Sequence, residues 1–237
     1  KHIDAGRCNG AEWIINYENK VYHDVIGYKD LDLKDKLYKN SYYRVWSMTK
    51  PIVGFAAMQL AEKKFLSLDD TIDRYLPEFK NIKKLNSLTS KLSDTSPVDN
   101  LPTVRQLLQH TAGFTYNSSD NNLAKEYEDK GLFHSPTSSL EEEVNKILEL
   151  PLLYEPGSNW HYSISIDILA RIIEIVTKDK IINILKENIF DPLEMNQTNF
   201  FINESNQNNL VETFEYSFDK SQLTNLNFDK RKLILYG

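Results

Sequence analysis

The stretch YYRVWSMTKPIVGFAAMQLAEKKF, residues 42–65, decides how the chain is read. It opens on β-prone residues, Tyr42, Tyr43, Val45 and Trp46, and continues from Pro51 as an apolar run. Ile52, Val53, Phe55, Ala56, Ala57, Met58, Leu60 and Ala61 leave almost no polar face, which predicts a helix enclosed by protein. Pro51 fits only a first turn, where the backbone N–H lacks an intrahelical partner, so the helix starts close to Ser47. Ser47 and Lys50 then stand at the joint between a third short strand, YYRVW, and this helix. Side chains at that spacing share a face with Cβ atoms about 5–6 Å apart, so a lysine amine reaches a serine hydroxyl. This is the geometry of a nucleophile beside its base. The helix start adds an unpaired backbone N–H and the positive end of the helix dipole, both suited to a developing oxyanion. A lysine in water is too basic to accept a proton at neutrality, and the apolar wall after Pro51 supplies the desolvation that would correct this. The same residues also fit a helix cap with a lysine that snorkels to solvent. Spacing alone does not choose between the two, since a second Ser-x-x-Lys occurs at Ser217 to Lys220, in a polar stretch with no long apolar helix behind it.

Ahead of this stretch, AEWIINY and VYHDVIGY are β-rich runs joined by ENK, a predicted hairpin. Behind it, SLDDTIDRYLPEF reads as a short helical or turn segment ended by Pro77, and IKKLNSLTSKLSDTSPVDNLP as a polar surface loop. A further helix is expected in PTVRQLLQHTAG, with Thr103 as its N-cap and Gly113 as a stop just past its last turn. SLEEEVNKILEL, capped by Ser139, is a further amphipathic helix. SIDILARIIEIVT and KIINILKENIF are two more, divided by KDK. After Thr198 the asparagine-rich NESNQNN leads to TFEYSF, whose weak alternation allows a return to strand. No internal repeat is present in the sequence.

The 237 residues, 41% of them hydrophobic, suffice for a substantial core. With 28 basic against 34 acidic residues the net charge is -6, the wrong sign for gathering nucleic acid through its phosphates, so no DNA or RNA partner is expected. Cys8 stands alone, which excludes an internal disulfide and any site of several cysteines around zinc or iron–sulfur. Five histidines without HExxH or similar spacing give no metal site. Lys63, Lys64, Asp167, Arg171 and Glu174 interrupt the best apolar runs before they reach the roughly 18–20 residues of a membrane-spanning helix. No cofactor is implied. The compartment stays open between periplasmic or extracellular and cytoplasmic, because no signal-like segment is visible and one could have been removed ahead of Lys1.

Taken in order, SMTKP with its apolar helix, LDDTIDRYLPEF, TVRQLLQHTAGF, EPGSNWHYSISIDILARIIEIV and IFDPLEMNQTNFF resemble the β-lactamase-related serine hydrolases. This family groups class C β-lactamases, certain esterases and DD-peptidases of the penicillin-binding type. The resemblance implies an α/β (α+β), β-lactamase/transpeptidase-like fold: an antiparallel sheet built from both chain ends, flanked by helices, in one domain over residues 1–237 with a mostly helical subregion at roughly 68–200. It implies a small-molecule ester or amide as substrate, Ser47 as acylated nucleophile, Lys50 as its proton partner, and Tyr162 as the group that carries a proton to the leaving group and activates the deacylating water. A neighbouring lysine cation would favour the phenolate form such a tyrosine needs. Without its context Tyr162 would read as one of 13 tyrosines, burying a ring and hydrogen-bonding its tip. Trp160 reads either as core or as lining of the acyl pocket. His110 and His161 are given no direct catalytic role, and the HTAG stretch is expected to be a structural loop near the site.

Two departures from the family pattern bear on substrate and on extent. Ile164 stands where β-lactamases and DD-peptidases usually carry an asparagine whose amide helps hold the substrate's amide side chain. An isoleucine cannot make those hydrogen bonds, which favours ester substrates over β-lactams, with a β-lactamase or DD-peptidase and a non-catalytic scaffold as the alternatives. The family's third motif, a Lys-Thr-Gly or His-x-Gly strand that supplies the second oxyanion donor, is not found up to Gly237, so the chain is expected to be a C-terminally truncated piece.

Overall fold

The computed structural model describes residues 1–32, 34–39, 41–133 and 138–226. They fall into two compact units, one of Lys1–Val45 with the chain from Phe200 onward, the other beginning at Trp46 and running to Asn199.

In the first unit β1 (Gly10–Tyr17) and β2 (Lys20–Asp30) form the hairpin the sequence predicts, in antiparallel register from Gly10 opposite Gly27 to Tyr17 opposite Lys20. Glu18 and Asn19 turn it with φ of 49° and 60°. Two successive left-handed residues give the turn twist that matches right-twisted strands. A third strand was expected at residues 42–46, yet β3 lies at Asp35–Lys36, against the end of β2. Tyr42 forms only an isolated bridge to Leu210, and Trp46 takes a φ of 46°, which breaks the extended backbone directly ahead of Ser47.

The second unit is mostly helical. A 3₁₀ turn at Trp46–Met48 leads into α1 (Thr49–Glu62), with Pro51 in its first turn. The helix buries Lys50, Val53, Ala56, Ala57 and Leu60, but Phe55 and Met58 are 54% and 46% exposed. The expected all-round enclosure is thus a single buried stripe. The segment before Pro77 contains a 3₁₀ turn at Ile72–Arg74, and Pro77 itself opens a second one, Pro77–Asn81. Inside the expected polar loop sits a short hairpin, β4 (Lys83–Leu85) with β5 (Thr95–Pro97). Its cause is backbone pairing rather than patterning: Leu85 N–H donates to the Leu152 carbonyl at 2.8 Å, and Leu152 N–H to that of Lys83 at 2.7 Å.

Helix α2 (Val104–Leu108) begins with a capping box in which Thr103 Oγ1 accepts from Gln106 N–H and the Gln106 side chain accepts from Thr103 N–H. It stops sooner than expected, because His110 already has a φ of 57°. Gly113, at φ +94°, serves another purpose: a Cβ there would lie 2.8 Å from the Tyr154 carbonyl oxygen, so only glycine permits the close approach to residues 152–154. Helix α3 (Asn122–Asp129), capped by Asn121, has no counterpart among the sequence expectations, whereas α4 (Leu140–Asn145) has the expected Ser139 cap. Helices α5 (Ser165–Thr177) and α6 (Ile181–Leu185) follow, parted by Lys178 at φ 59°. Their junction is fastened by Glu174, whose Oε1 accepts the Ile181 N–H at 3.1 Å.

The core of this unit is built on α5, which packs against α1, α2, α4 and α6. Its Ile168, Leu169, Ile172 and Ile173 are wholly buried. Each such side chain contributes roughly 1.5–3 kcal/mol relative to exposure. The periodic burial fixes which face of α5 meets its neighbours, and so fixes where residues just before Ser165 emerge.

Beyond Phe200 the chain returns to the first unit. Glu212 N–H donates to the Lys29 carbonyl at 3.0 Å, and β6 (Phe214–Ser217) pairs antiparallel with β7 (Gln222–Asn225). The second Ser-x-x-Lys is spent in this hairpin's turn, where Lys220 N–H donates to Ser217 Oγ at 3.3 Å. Among the described residues no helix is long and apolar enough to cross a membrane, and no group of three or more His, Cys, Asp or Glu could hold a metal ion.

Candidate active site

The second unit carries Ser47, Lys50 and Tyr162 together. Ser47 lies in the 3₁₀ turn ahead of α1 and is exposed, between Trp46 (44% exposed) and Met48 (66%). It does not cap the helix, because the N-cap position is Met48 and no side chain caps that end. Lys50 does not snorkel either: it is 8% exposed, and its Nζ is buried with no hydrogen-bond partner among the described residues. Both features of the helix-cap reading are therefore missing.

The hydroxyl of Tyr162 donates to Ser47 Oγ at 2.6 Å. The serine's side-chain bond is thus to the tyrosine rather than to the lysine, although spacing along α1 pointed to the lysine. Lys50 instead lies among aromatic rings, its Nζ 5.0 Å from the centroid of Tyr162 and 5.4 Å from that of Tyr116. A cation at that distance is attracted by the ring quadrupole, by more when desolvated than when exposed. The Tyr116 and Tyr162 rings are themselves 5.8 Å apart.

Tyr162 is held by the way two segments run past each other. The carbonyls of Gly113, Thr111, His110 and Thr115 accept N–H groups from Leu153, Gly157, His161 and Ile164, at 2.7, 2.8, 2.9 and 3.1 Å. Tyr162 sits between the last two. His161 turns away from Ser47's partner, its Nε2 3.1 Å from Thr115 Oγ1 and 3.3 Å from Ser119 Oγ. The His110 ring lies 4.9 Å from the Tyr162 ring at an interplanar angle of 31°. Trp160 is 67% exposed, which excludes the core reading, and its ring is 6.5 Å from that of His110. Ile164, at the N-cap of α5, is 2% exposed. It fills the core, so at this position there is neither an amide nor a surface for substrate to touch.

Three ionisable neighbours give the pocket its electrostatics. Burial, then the Lys50 charge and His161, push the His110 imidazole down to about 4, so it is neutral at ordinary pH. Burial, reinforced by Asp167 and Tyr162, pushes the Tyr116 phenol up to about 12, so it keeps its proton. Burial pushes the Asp167 carboxyl up to about 7 against the opposing pull of Lys50. In the sequence Asp167 stands out only as an interruption of an apolar run. The signal that could have found it is its place in the first turn of α5, five residues after Tyr162. Tyr116 carried no signal beyond following the HTAG stretch. An exposed hydroxyl, a phenol bonded to it and a desolvated ammonium among rings can pass a proton between oxygens and offset negative charge.

Comparisons with known proteins agree on the family of the chain. The solved structure of EstCE1, a hydrolase with promiscuous acyltransferase activity, superposes with a TM-score of 0.79 at 27% identity, over 95% of this chain and 56% of its own. Lovastatin esterase of Penicillium rubens is 30% identical over 213 residues, 84% of this chain and 50% of the esterase. An uncharacterized protein of Mycobacterium tuberculosis is 29% identical over 206 residues, 86% of this chain and 50% of that protein. The chain thus spans about half the length of these relatives. The fold is of the β-lactamase/transpeptidase type, mixed in helix and strand. The family model Beta-lactamase matches residues 1–232, and the chain belongs to that family.

Proposed function

We propose that this chain carries the nucleophile, the proton carrier and the charge-balancing lysine of a serine hydrolase that cleaves esters through an acyl-enzyme. The observation that carries the reading is the 2.6 Å bond between Tyr162 and an exposed Ser47 at the uncapped start of α1. In the forward step Ser47 Oγ attacks the substrate carbonyl carbon while its proton passes to the Tyr162 oxygen. Before that step the proton with which Tyr162 bonds Ser47 Oγ leaves to solvent, and Lys50, beside the tyrosine ring, offsets the charge of the phenolate that then accepts the serine's proton. Tyr162 then gives the proton to the departing alkoxide, leaving an acyl group on Ser47. Water repeats the sequence in reverse: Tyr162 takes its proton, the hydroxide attacks the acyl carbon, and the proton returns to Ser47 as the acid leaves.

Two observations support an ester over a β-lactam or peptide. Ile164 is buried in the core, so its position offers no amide to an amide side chain of the substrate. Among the relatives, one is named a lovastatin esterase and another a hydrolase with promiscuous acyltransferase activity. The exposed Trp160, in the motif that carries Tyr162, is offered as lining for the acyl group.

The test is intact-mass spectrometry of the chain after brief exposure to an activated aryl ester, beside Ser47→Ala and a penicillin-treated sample. One acyl adduct from the ester, lost in Ser47→Ala, is expected. An adduct that persists in that variant would sink the assignment of Ser47, and faster labelling by penicillin would replace the esterase by penicillin-type chemistry.

A further inference from the structure

Tyr162 sits on a loop rather than inside a helix or strand, yet its hydroxyl must stay on Ser47 Oγ, and a single residue grips the loop on both sides of it. His110 holds the residue before Tyr162 through its carbonyl, which accepts the His161 N–H at 2.9 Å. It holds the residue after Tyr162 through its ring, whose Nδ1 accepts the Ser163 N–H at 3.2 Å. Its ring face lies along the phenol ring itself, 4.9 Å between centroids. The three contacts depend on one backbone conformation, the left-handed φ of 57° that ends α2.

The ring's protonation state suits this task. Nδ1 can accept the Ser163 N–H only when it carries no proton, which fixes the tautomer with hydrogen on Nε2. A charged imidazole would lose that acceptor and would set a cation beside Lys50. Burial and the Lys50 charge keep it neutral well below ordinary pH. Ser163 Oγ, 3.3 Å from Nδ1, is itself tied to Ser165 Oγ at 2.7 Å, so the grip continues into the first turn of α5.

We propose that His110 is the positioning residue of Tyr162: by holding His161 N–H, Ser163 N–H and the phenol ring at once, it keeps the tyrosine hydroxyl on Ser47 Oγ. The proposal rests on the reading of Tyr162 as proton carrier. Among the described residues the His110 ring bonds Ser163 and stacks near Trp160 and Tyr162 without a hydrogen bond to Ser47 Oγ, so its role runs through the tyrosine. Two substitutions separate its contacts. His110→Phe keeps a ring against Tyr162 and removes the Nδ1 acceptor. His110→Asn keeps an acceptor near Nδ1, tolerates the left-handed backbone, and removes the ring.

The experiment is a double-mutant cycle of each His110 variant with Tyr162→Phe in the full chain, reading kcat and KM on an activated ester. A displaced catalytic group costs up to about 10²-fold, so His110→Phe is expected to lower kcat by roughly 10- to 100-fold with KM within about twofold. In the Tyr162→Phe background the same change should add less than about twofold, because the group it positions is gone. His110→Asn carries the same cycle, so a poorly folded phenylalanine variant does not end the test. Losses that add fully to that of Tyr162→Phe, or His110 variants as active as the parent, would overturn the positioning role while leaving the reading of Tyr162 intact. A Tyr162→Phe variant as active as the parent would overturn the reading beneath it as well.

Discussion

Tyr162→Phe removes one oxygen atom and almost nothing else. The phenylalanine ring keeps its place 4.9 Å from the His110 ring and 5.0 Å from Lys50 Nζ, so the pocket's packing survives. What is lost is the 2.6 Å bond to Ser47 Oγ. A hydrogen bond of this kind contributes a net ~0.5–1.5 kcal/mol to stability, and because Ser47 is exposed and can bond to water the lower end applies. For a chain of this size Tm should fall by no more than about 2–4 °C. The chemical step loses far more. A positioned proton carrier contributes typically about 10²–10⁴-fold, equivalent to roughly 2.7–5.5 kcal/mol of barrier height. Stopped-flow acylation by an activated aryl ester, followed by release of the acyl group, should show both half-reactions slowed by that factor, with KM little changed. A variant that acylates within about tenfold of the parent, while Ser47→Ala is inert, would refute the argument that the phenol carries the proton.

Two further outcomes concern the surroundings of the site. Asp167 faces Lys50 and Tyr116, and burial pushes its folded-state carboxyl from the ordinary 3.8 up to about 7, so its contribution to stability is present below about pH 4 and lost as pH rises through 7. His110 acts in the opposite sense, its folded-state value of about 4 lying below 6.5, so its contribution grows as pH rises across that interval. Urea titrations from pH 4 to 7 should therefore show Asp167→Asn gaining stability with pH relative to the parent, by on the order of a few kcal/mol; parallel curves would show that the carboxyl is not shifted. Ile164→Asn should not create penicillin hydrolysis and should cost about 2–4 kcal/mol in unfolding free energy, because it places an amide in a core position that is 2% exposed. Penicillinase activity in a stably folded Ile164→Asn variant would contradict the buried placement.

Local chemistry made much of this structure legible. The hairpin β1–β2, the N-caps at Thr103 and Ser139, and α5 with its apolar stripe follow from turn residues, caps and periodicity. The features that escaped have non-local causes. Strands β4 and β5 exist because the backbone near residue 84 pairs with Leu152, a partner that no run of side chains announces. The run YYRVW has strand propensity but lacks an extended partner for more than Tyr42. Gly113 looked like a helix stop, while the turn fell on His110, whose side chain and backbone serve the neighbouring loop instead. The site divided in the same way. Spacing along one helix brought Ser47 and Lys50 together, but the hydroxyl's actual partner comes from a distant loop, and the lysine's from the faces of two rings.

The bond between Ser47 and Tyr162 joins residues 115 positions apart. The caps that start α2 and α4 are satisfied within a few residues of themselves, whereas this contact requires closing a loop that contains most of the second unit. Closure entropy of that kind is met only after intervening helices have packed. Refolding this chain from denaturant should therefore restore helical circular dichroism before it restores reactivity of the serine, and the acylation rate becomes a clock for the last stage of folding rather than for the first.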